Sequence, residues 1–272
     1  MKTERRIVVA VVLALVPVVF SGAVRADWMP EDGHKMHYPQ LPDPDGWDVD
    51  VTVGFVADNW MCSQSGAVND IHFWISAERD YVGNWIDFID VAIYDDVAAV
   101  AGDPGSYSHP GEKKWSSRVQ DQAAAGDTFT IFLPPKQGDQ GWYSPYSPAG
   151  PGYYALNDHT NYWQVNIENI VDPFVQSEGK TYWLEIHIIP NNVPGGECPF
   201  FGWKTSLDHW NDDAVYLDGE SIWQELYDPR PDYQGVSLDM AFVITPEPVT
   251  LIVLVLGLFP ILLMKRHRKR TA

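Results

Sequence analysis

The chain has 272 residues, a formal net charge of −19, and 45% hydrophobic, 20% charged and 13% aromatic residues, which is a globular rather than a disordered composition. Its 37 acidic against 18 basic residues exclude a nucleic-acid binder driven by net charge, because such a surface repels phosphate. Two cysteines exclude a disulfide-stapled miniprotein and any four-cysteine zinc site.

The N-terminus opens with the basic segment Met1 to Arg6, followed by an apolar run from Ile7 to Phe20 and small residues up to Ala26. That order describes a secretory signal peptide over residues 1–26, with cleavage expected after Ala23 or Ala26. The apolar run is short of the roughly 20 residues a membrane span needs. An uncleaved N-terminal anchor is the alternative.

Residues 27–245 are expected to form one large acidic β domain, with two small ones as the alternative. It carries nine basic and 35 acidic residues, a net charge of −26, and holds all 12 tryptophans. Its first feature is Asp43-Pro-Asp-Gly-Trp-Asp-Val-Asp50, which sets carboxylates at Asp43, Asp45, Asp48 and Asp50. Hard oxygen ligands at close spacing suit calcium, although the glycine comes too early for an EF-hand loop. The competing reading is a solvated turn, since Asp, Gly and Pro are turn formers.

Alternating and β-rich runs then dominate, and helical periodicity is weak. Strands are expected over 50–56, 68–76, 88–94, 128–133, 162–167, 181–189 and 238–244, with further ones over 200–205 and 214–217. Many short strands without alternating helices point to an all-β fold, an antiparallel β-sandwich or jelly roll. The Gly- and Pro-rich stretch 138–163 reads as a long loop carrying Trp142, Tyr143, Tyr146, Tyr153, Tyr154, Tyr162 and Trp163. Aromatic rings on loops over a rigid scaffold suit the apolar faces of sugars. The alternative is that these rings fold back and cap the core. Cys62 and Cys198 are expected to form one disulfide, because export supplies an oxidising compartment and the count is even. Two buried free thiols are the alternative.

The C-terminus holds Pro246-Glu247-Pro248, an apolar run from Val249 to Met264 and the basic cluster Lys265 to Arg270. Sixteen apolar residues make a helix of about 24 Å, a marginal membrane span. The basic cluster is expected to stay cytoplasmic, with the bulk of the chain outside. A plain membrane anchor would account for this segment.

The three-part order over residues 246–272 also resembles the PEP-CTERM sorting signal of bacterial exported proteins. The resemblance implies an exosortase-like membrane enzyme as partner, recognition of Pro246, Glu247 and Pro248, and delivery to the cell surface or extracellular matrix. A second resemblance rests on Tyr38 to Asp48, Val56 to Cys62, Gly66 to Trp74, Phe201 to Ser206 and Asn211 to Val215. These segments look like an all-β domain of unknown function found in exported PEP-CTERM proteins, and no catalytic residue follows from the likeness.

Acid–base pairs can be drawn from Asp70, His72, Glu185, Asp208 and His209, but 35 carboxylates make chance combinations plentiful. No Gly-x-Ser-x-Gly elbow, His-Glu-x-x-His helix or phosphate-cradling loop occurs. The expectation is therefore a non-enzymatic surface or matrix protein, structural or adhesive, with an extracellular polysaccharide as candidate ligand and no cofactor beyond candidate calcium. A carbohydrate-active enzyme on a jelly-roll scaffold and a calcium-stabilised structural module are the alternatives.

Overall fold

The computed structural model describes residues 28–81, 86–121, 127–131, 135–146, 152–168, 170–191 and 199–245. The expected signal peptide, the sorting motif with its apolar run and basic tail, and Cys198 lie outside the described residues. Among the described residues no helix is long and apolar enough to cross a membrane.

The fold is all-β. The strands are β1 (Trp47–Asp50), β2 (Val56–Met61), β3 (Gly66–Ala67), β4 (Asp70–Ala77), β5 (Ile86–Val97), β6 (His109–Asp121), β7 (Thr128–Ile131) and β8 (Lys136–Ser144). They continue with β9 (Tyr153–Glu168), β10 (Val175–Gln176), β11 (Thr181–Pro190), β12 (Phe201–Ser206), β13 (Val215–Leu217), β14 (Trp223–Glu225), β15 (Asp239–Met240) and β16 (Phe242–Thr245). One run of pairings goes β14-β13-β2-β11-β5-β6 and is antiparallel throughout. A short parallel pairing of β6 with β7 carries it on to β9.

The other strands close on themselves. Strand β9 pairs with both β8 and β4. Strand β8 runs parallel to β1, β1 pairs with β12, and β12 pairs with β4. Five strands thus form a ring, with β16 beside β4 and β15 beside β12.

The pleat sends alternate side chains to opposite faces. On β1, β4 and β12 one face supplies Trp47, Val49, Phe73, Ile75, Phe201 and Trp203 to the main core. The run through β2, β11 and β5 supplies Val56, Trp60, Leu184, Ile186, Ile188, Ile89, Val91 and Ile93 to the same core. The β-branched and aromatic residues that mark β4, β5 and β11 in the sequence are those that fill it.

Several boundaries differ from the sequence reading. The expected strand over 50–56 is mostly the connection between β1 and β2. The stretch 138–163 is no long loop. Most of it belongs to β8 and β9, a strand pair whose connecting residues 147–151 lie outside the described set. Its glycines serve close approach rather than turning. A Cβ on Gly141 would sit 2.4 Å from the Trp47 ring, and one on Gly138 would sit 1.9 Å from the Pro44 carbonyl oxygen. Strand β6 also escaped the sequence reading, because it is polar and half exposed, with Val119 as its buried anchor.

Candidate functional site

Three segments of the fold meet around an open cleft of about 570 Å³. The β1–β2 connection brings Val53, Gly54 and Phe55, the end of β8 brings Pro145 and Tyr146, and the β13–β14 hairpin brings Tyr216 to Gly219 and Ser221. Gly54 lets the Tyr146 ring lie against the backbone; a Cβ there would stand 2.2 Å from Tyr146 Cε1. The Tyr146 hydroxyl donates to the Phe55 carbonyl at 2.8 Å. Tyr146 and Tyr216 meet edge to face with centroids 5.8 Å apart. Phe55 packs on His187 at 4.7 Å, and His187 Nε2 lies 3.3 Å from the Thr52 carbonyl oxygen.

The hairpin is built by Asp218. Its Oδ1 accepts from the Glu220 and Ile222 amides and its Oδ2 from Gln224 Nε2, each at 2.9 Å. Ser221 sits at φ 63°, the left-handed conformation this tight turn requires. Asp218 is thus committed to the turn, and its carboxyl is held below the usual range chiefly by the Ile222 amide. Burial, followed by the charge of Asp50, pushes the Tyr146 phenol well above its ordinary range. Burial, then Asp218, raises Tyr216. Both phenols therefore stay protonated at neutral pH, offering ring faces and hydroxyls rather than charge.

Two carboxylates lie deeper and neither lines the cleft. Asp50 accepts from the Thr52 and Val53 amides at 2.9 and 3.2 Å and from Ser144 Oγ at 2.9 Å. Glu185 accepts from the Tyr94 hydroxyl at 2.7 Å, with Lys113 at 4.0 Å. Burial raises both carboxyls. Each has its own partners outside the cleft lining.

The structure regroups the residues that sequence reasoning singled out. Of the expected aromatic ligand face, Tyr146 alone lines the cleft. Trp142, Tyr143, Tyr162 and Trp163 are buried, because successive residues of β8 and β9 point to opposite faces and both faces are covered there. Tyr153 and Tyr154 stay exposed, with Tyr154 edge-on to Trp47 at 5.8 Å. These rings therefore do not share one exposed face, and Tyr146 meets Tyr216 and Phe55 around the cleft instead. Strand β13 with Tyr216 falls within the strand expected over 214–217, but its hairpin with β14 does not appear in that reading; Asp218-Gly219 between two short β-rich runs is the readable signal.

The four calcium candidates do not form one site. Asp43 Oδ1 accepts from the Asp45 amide at 3.1 Å, and Asp45 Oδ1 accepts from the Asp139 amide at 3.1 Å. Asp48 is fully buried against Lys204 and His159, and Asp50 is held as described. Among the described residues no group of three or more His, Cys, Asp or Glu side chains could hold a metal ion.

The acid–base candidates are dispersed as well. His72 is buried between Asn166 Oδ1 at 2.6 Å and Thr245 Oγ1 at 3.2 Å. Asp208 accepts from the Leu41 amide at 3.0 Å, while His209 pairs with Asp239 at 3.4 Å. Cys62 stands as a free, buried thiol donating to the Gln64 carbonyl at 3.2 Å. Its expected bridge partner, Cys198, lies outside the described residues.

Residues 36–245 match the family model of the domain of unknown function DUF7901. The chain belongs to that family. The matched span begins at the Met36–Cys62 bridge and ends with β16, so among the described residues the DUF7901 domain takes in the sixteen strands and the cleft. No curated protein and no solved structure matches the chain.

Proposed function

We propose that this chain is an exported surface or extracellular-matrix protein whose DUF7901 domain is a non-enzymatic, adhesive β-sandwich module that holds a neutral polysaccharide in the cleft. The observation that carries this reading is the Tyr146–Tyr216 crossing beside Phe55 in an open cleft about 570 Å³ in volume. Ring faces suit the apolar faces of sugar rings, and protonated phenol hydroxyls suit their hydroxyls. The domain's −26 charge disfavours anionic polymers. Export rests on the order of the two ends: a signal peptide over 1–26, and a Pro246-Glu247-Pro248 motif, apolar helix and basic tail over 246–272 for an exosortase-like enzyme.

Binding is tested by titrating the protein with neutral and acidic polysaccharides. Tyr216→Ala should weaken binding of the preferred neutral polymer at least tenfold, or roughly 1.4 kcal/mol. Tyr153→Ala, outside the cleft, should leave it unchanged. Equal binding by wild type and Tyr216→Ala overturns the cleft assignment. Export is tested by intact mass on membrane and extracellular fractions of the native host: a chain retaining all residues after Pro248, and found only in the membrane, overturns sorting.

A further inference from the structure

The strand ring encloses an ionic group that the cleft does not use. Asp48 on β1 stands directly opposite Lys204 on β12 in the antiparallel ladder. Both are fully buried, and Lys204 Nζ lies 3.0 Å from Asp48 Oδ2. His159 Nε2 reaches the same oxygen at 3.0 Å, and Asp158 Oδ2 holds His159 Nδ1 at 3.1 Å. The Tyr162 ring lies 5.6 Å from Nζ, and the Trp142 ring closes on His159 at 6.3 Å. Asp48 Oδ1 is buried with no hydrogen-bond partner. Among the described residues the Lys204 ammonium, with three donors, has one hydrogen bond, to Asp48.

A charge pair buried in this way is a poor stability device, because desolvation offsets its attraction and its remaining polar capacity goes unmet. It is a good arrangement for condensation. We infer that Asp48 and Lys204 form an intramolecular amide cross-link between β1 and β12, with His159 as the acid–base group and Asp158 as the residue that positions it.

The step balances without an oxidant or co-reactant. The Lys204 amine attacks Asp48 Cγ, the Cγ–Nζ bond forms and the Cγ–Oδ2 bond breaks. Two of the three ammonium protons end on Oδ2, passing through His159 Nε2, and the oxygen leaves as water. The third stays on the amide nitrogen, and Oδ1 becomes the amide carbonyl. Hydrogen bonds to Asp158 and Asp48 outweigh burial and hold His159 at about 9, so it carries a proton to give at neutral pH. Burial alone would raise Asp48, but Lys204 and His159 hold its carboxyl below the usual range. The resting group is therefore ionised, and proton transfer within it precedes attack. Holding amine and carboxyl in contact makes the reaction effectively unimolecular, a gain of about 10⁵–10⁸ M in effective concentration. Directly opposed residues have Cβ atoms about 5 Å apart, a gap the linked side chains span. The product replaces two buried charges with one neutral amide and closes the chain between residues 48 and 204.

The test is a tryptic map of the full-chain protein, reduced and alkylated first so that no disulfide can join the peptides. Peptide 36–79 should remain joined to the peptide containing Lys204, the pair lighter than their sum by one water, and cleavage after Lys204 should be lost. Lys204→Met and Asp48→Ala should each give unlinked peptides at sequence mass. His159→Gln should cut the linked fraction at least tenfold, and a wild-type fraction in that variant overturns the assignment of His159. The cross-link itself is overturned if wild type, both fresh and after overnight incubation in the folded state, releases the peptide ending at Lys204 at full sequence mass. The map is read on the wild type, so a variant that fails to fold leaves the result intact.

Discussion

Gln176 is a fully buried polar side chain whose three hydrogen bonds tie four segments together. Its Oε1 accepts from Trp60 Nε1 at 2.9 Å, and its Nε2 donates to the Lys35 and Gln64 carbonyls at 3.0 Å each. The bonds join the chain before β1, β2 and the turn after it to the small β3–β10 sheet. Replacing Gln176 with Leu keeps most of the volume but strands the Trp60 indole donor and takes one of two hydrogen bonds from each carbonyl, Lys35 keeping the Ser63 amide and Gln64 the Cys62 thiol. Each buried group left unmet costs about 1–3 kcal/mol. Burial of the new apolar side chain and local relaxation offset part of this. The expected loss is about 1–3 kcal/mol, set against the roughly 5–15 kcal/mol that holds a domain folded. Urea unfolding followed by tryptophan fluorescence should show the midpoint falling by about 0.5–1 M at unchanged slope. Gln176→Glu gives a second reading. As a carboxylate it keeps the Trp60 bond but turns an oxygen on two carbonyls, so its pKa should rise in the folded state. The folded variant then binds more protons than the unfolded chain, and stability should fall as pH rises. Relative to wild type at the same pH, Gln176→Glu should be closer to normal at pH 4.5 than at pH 8. A Gln176→Leu loss below about 1 kcal/mol would refute the reasoning, because it would mean that these groups find water or other partners.

Other expectations are as direct. Gly54→Ala should displace the Tyr146 ring, because its Cβ would lie 2.2 and 2.4 Å from ring atoms; overpacking costs about 1–3 kcal/mol, and calorimetry should show polysaccharide binding lost in protein that still melts cooperatively. His37 stacks on Trp210 at 4.4 Å and accepts from the Met61 amide at 3.3 Å, and burial followed by the nearby His34 pushes it down from 6.5 to about 4. The neutral ring is the stabilising form, so its contribution is present above pH 6.5 and lost as pH falls towards 4; His37→Phe should flatten the denaturation profile over that window, and an unchanged profile would refute the assignment. Burial raises the Cys62 thiol, so an alkylating reagent should label it by mass only once the chain unfolds, and labelling at the unfolded rate in native buffer would contradict the structure.

Strands β4, β5 and β11 were legible in the sequence because their β-branched and aromatic residues line the main core and carry its pattern within one segment. Strands β6, β8 and the first half of β9 were not. Their Gly, Lys and Asn content reads as loop, and it is cross-strand partners that hold them extended. Gly138 and Gly141 show why: Pro44 and Trp47 occupy the space a side chain would need. The same blindness applies to the sites. Asp43 to Asp50 looks like one carboxylate cluster along the chain, yet Asp48 is claimed by Lys204, 156 positions away, and by His159. Trp142 and Tyr143 look like a binding face until both sides of β8 are covered, and the Tyr216 half of the cleft arrives from a distant hairpin.

By itself, then, the sequence determined the acidic balance and the all-β class, because these follow from composition and from patterns contained in short segments. Only the tertiary structure decided which rings face the cleft and which carboxylate meets the buried lysine. Those outcomes depend on strand register, and register joins residues that no local pattern relates.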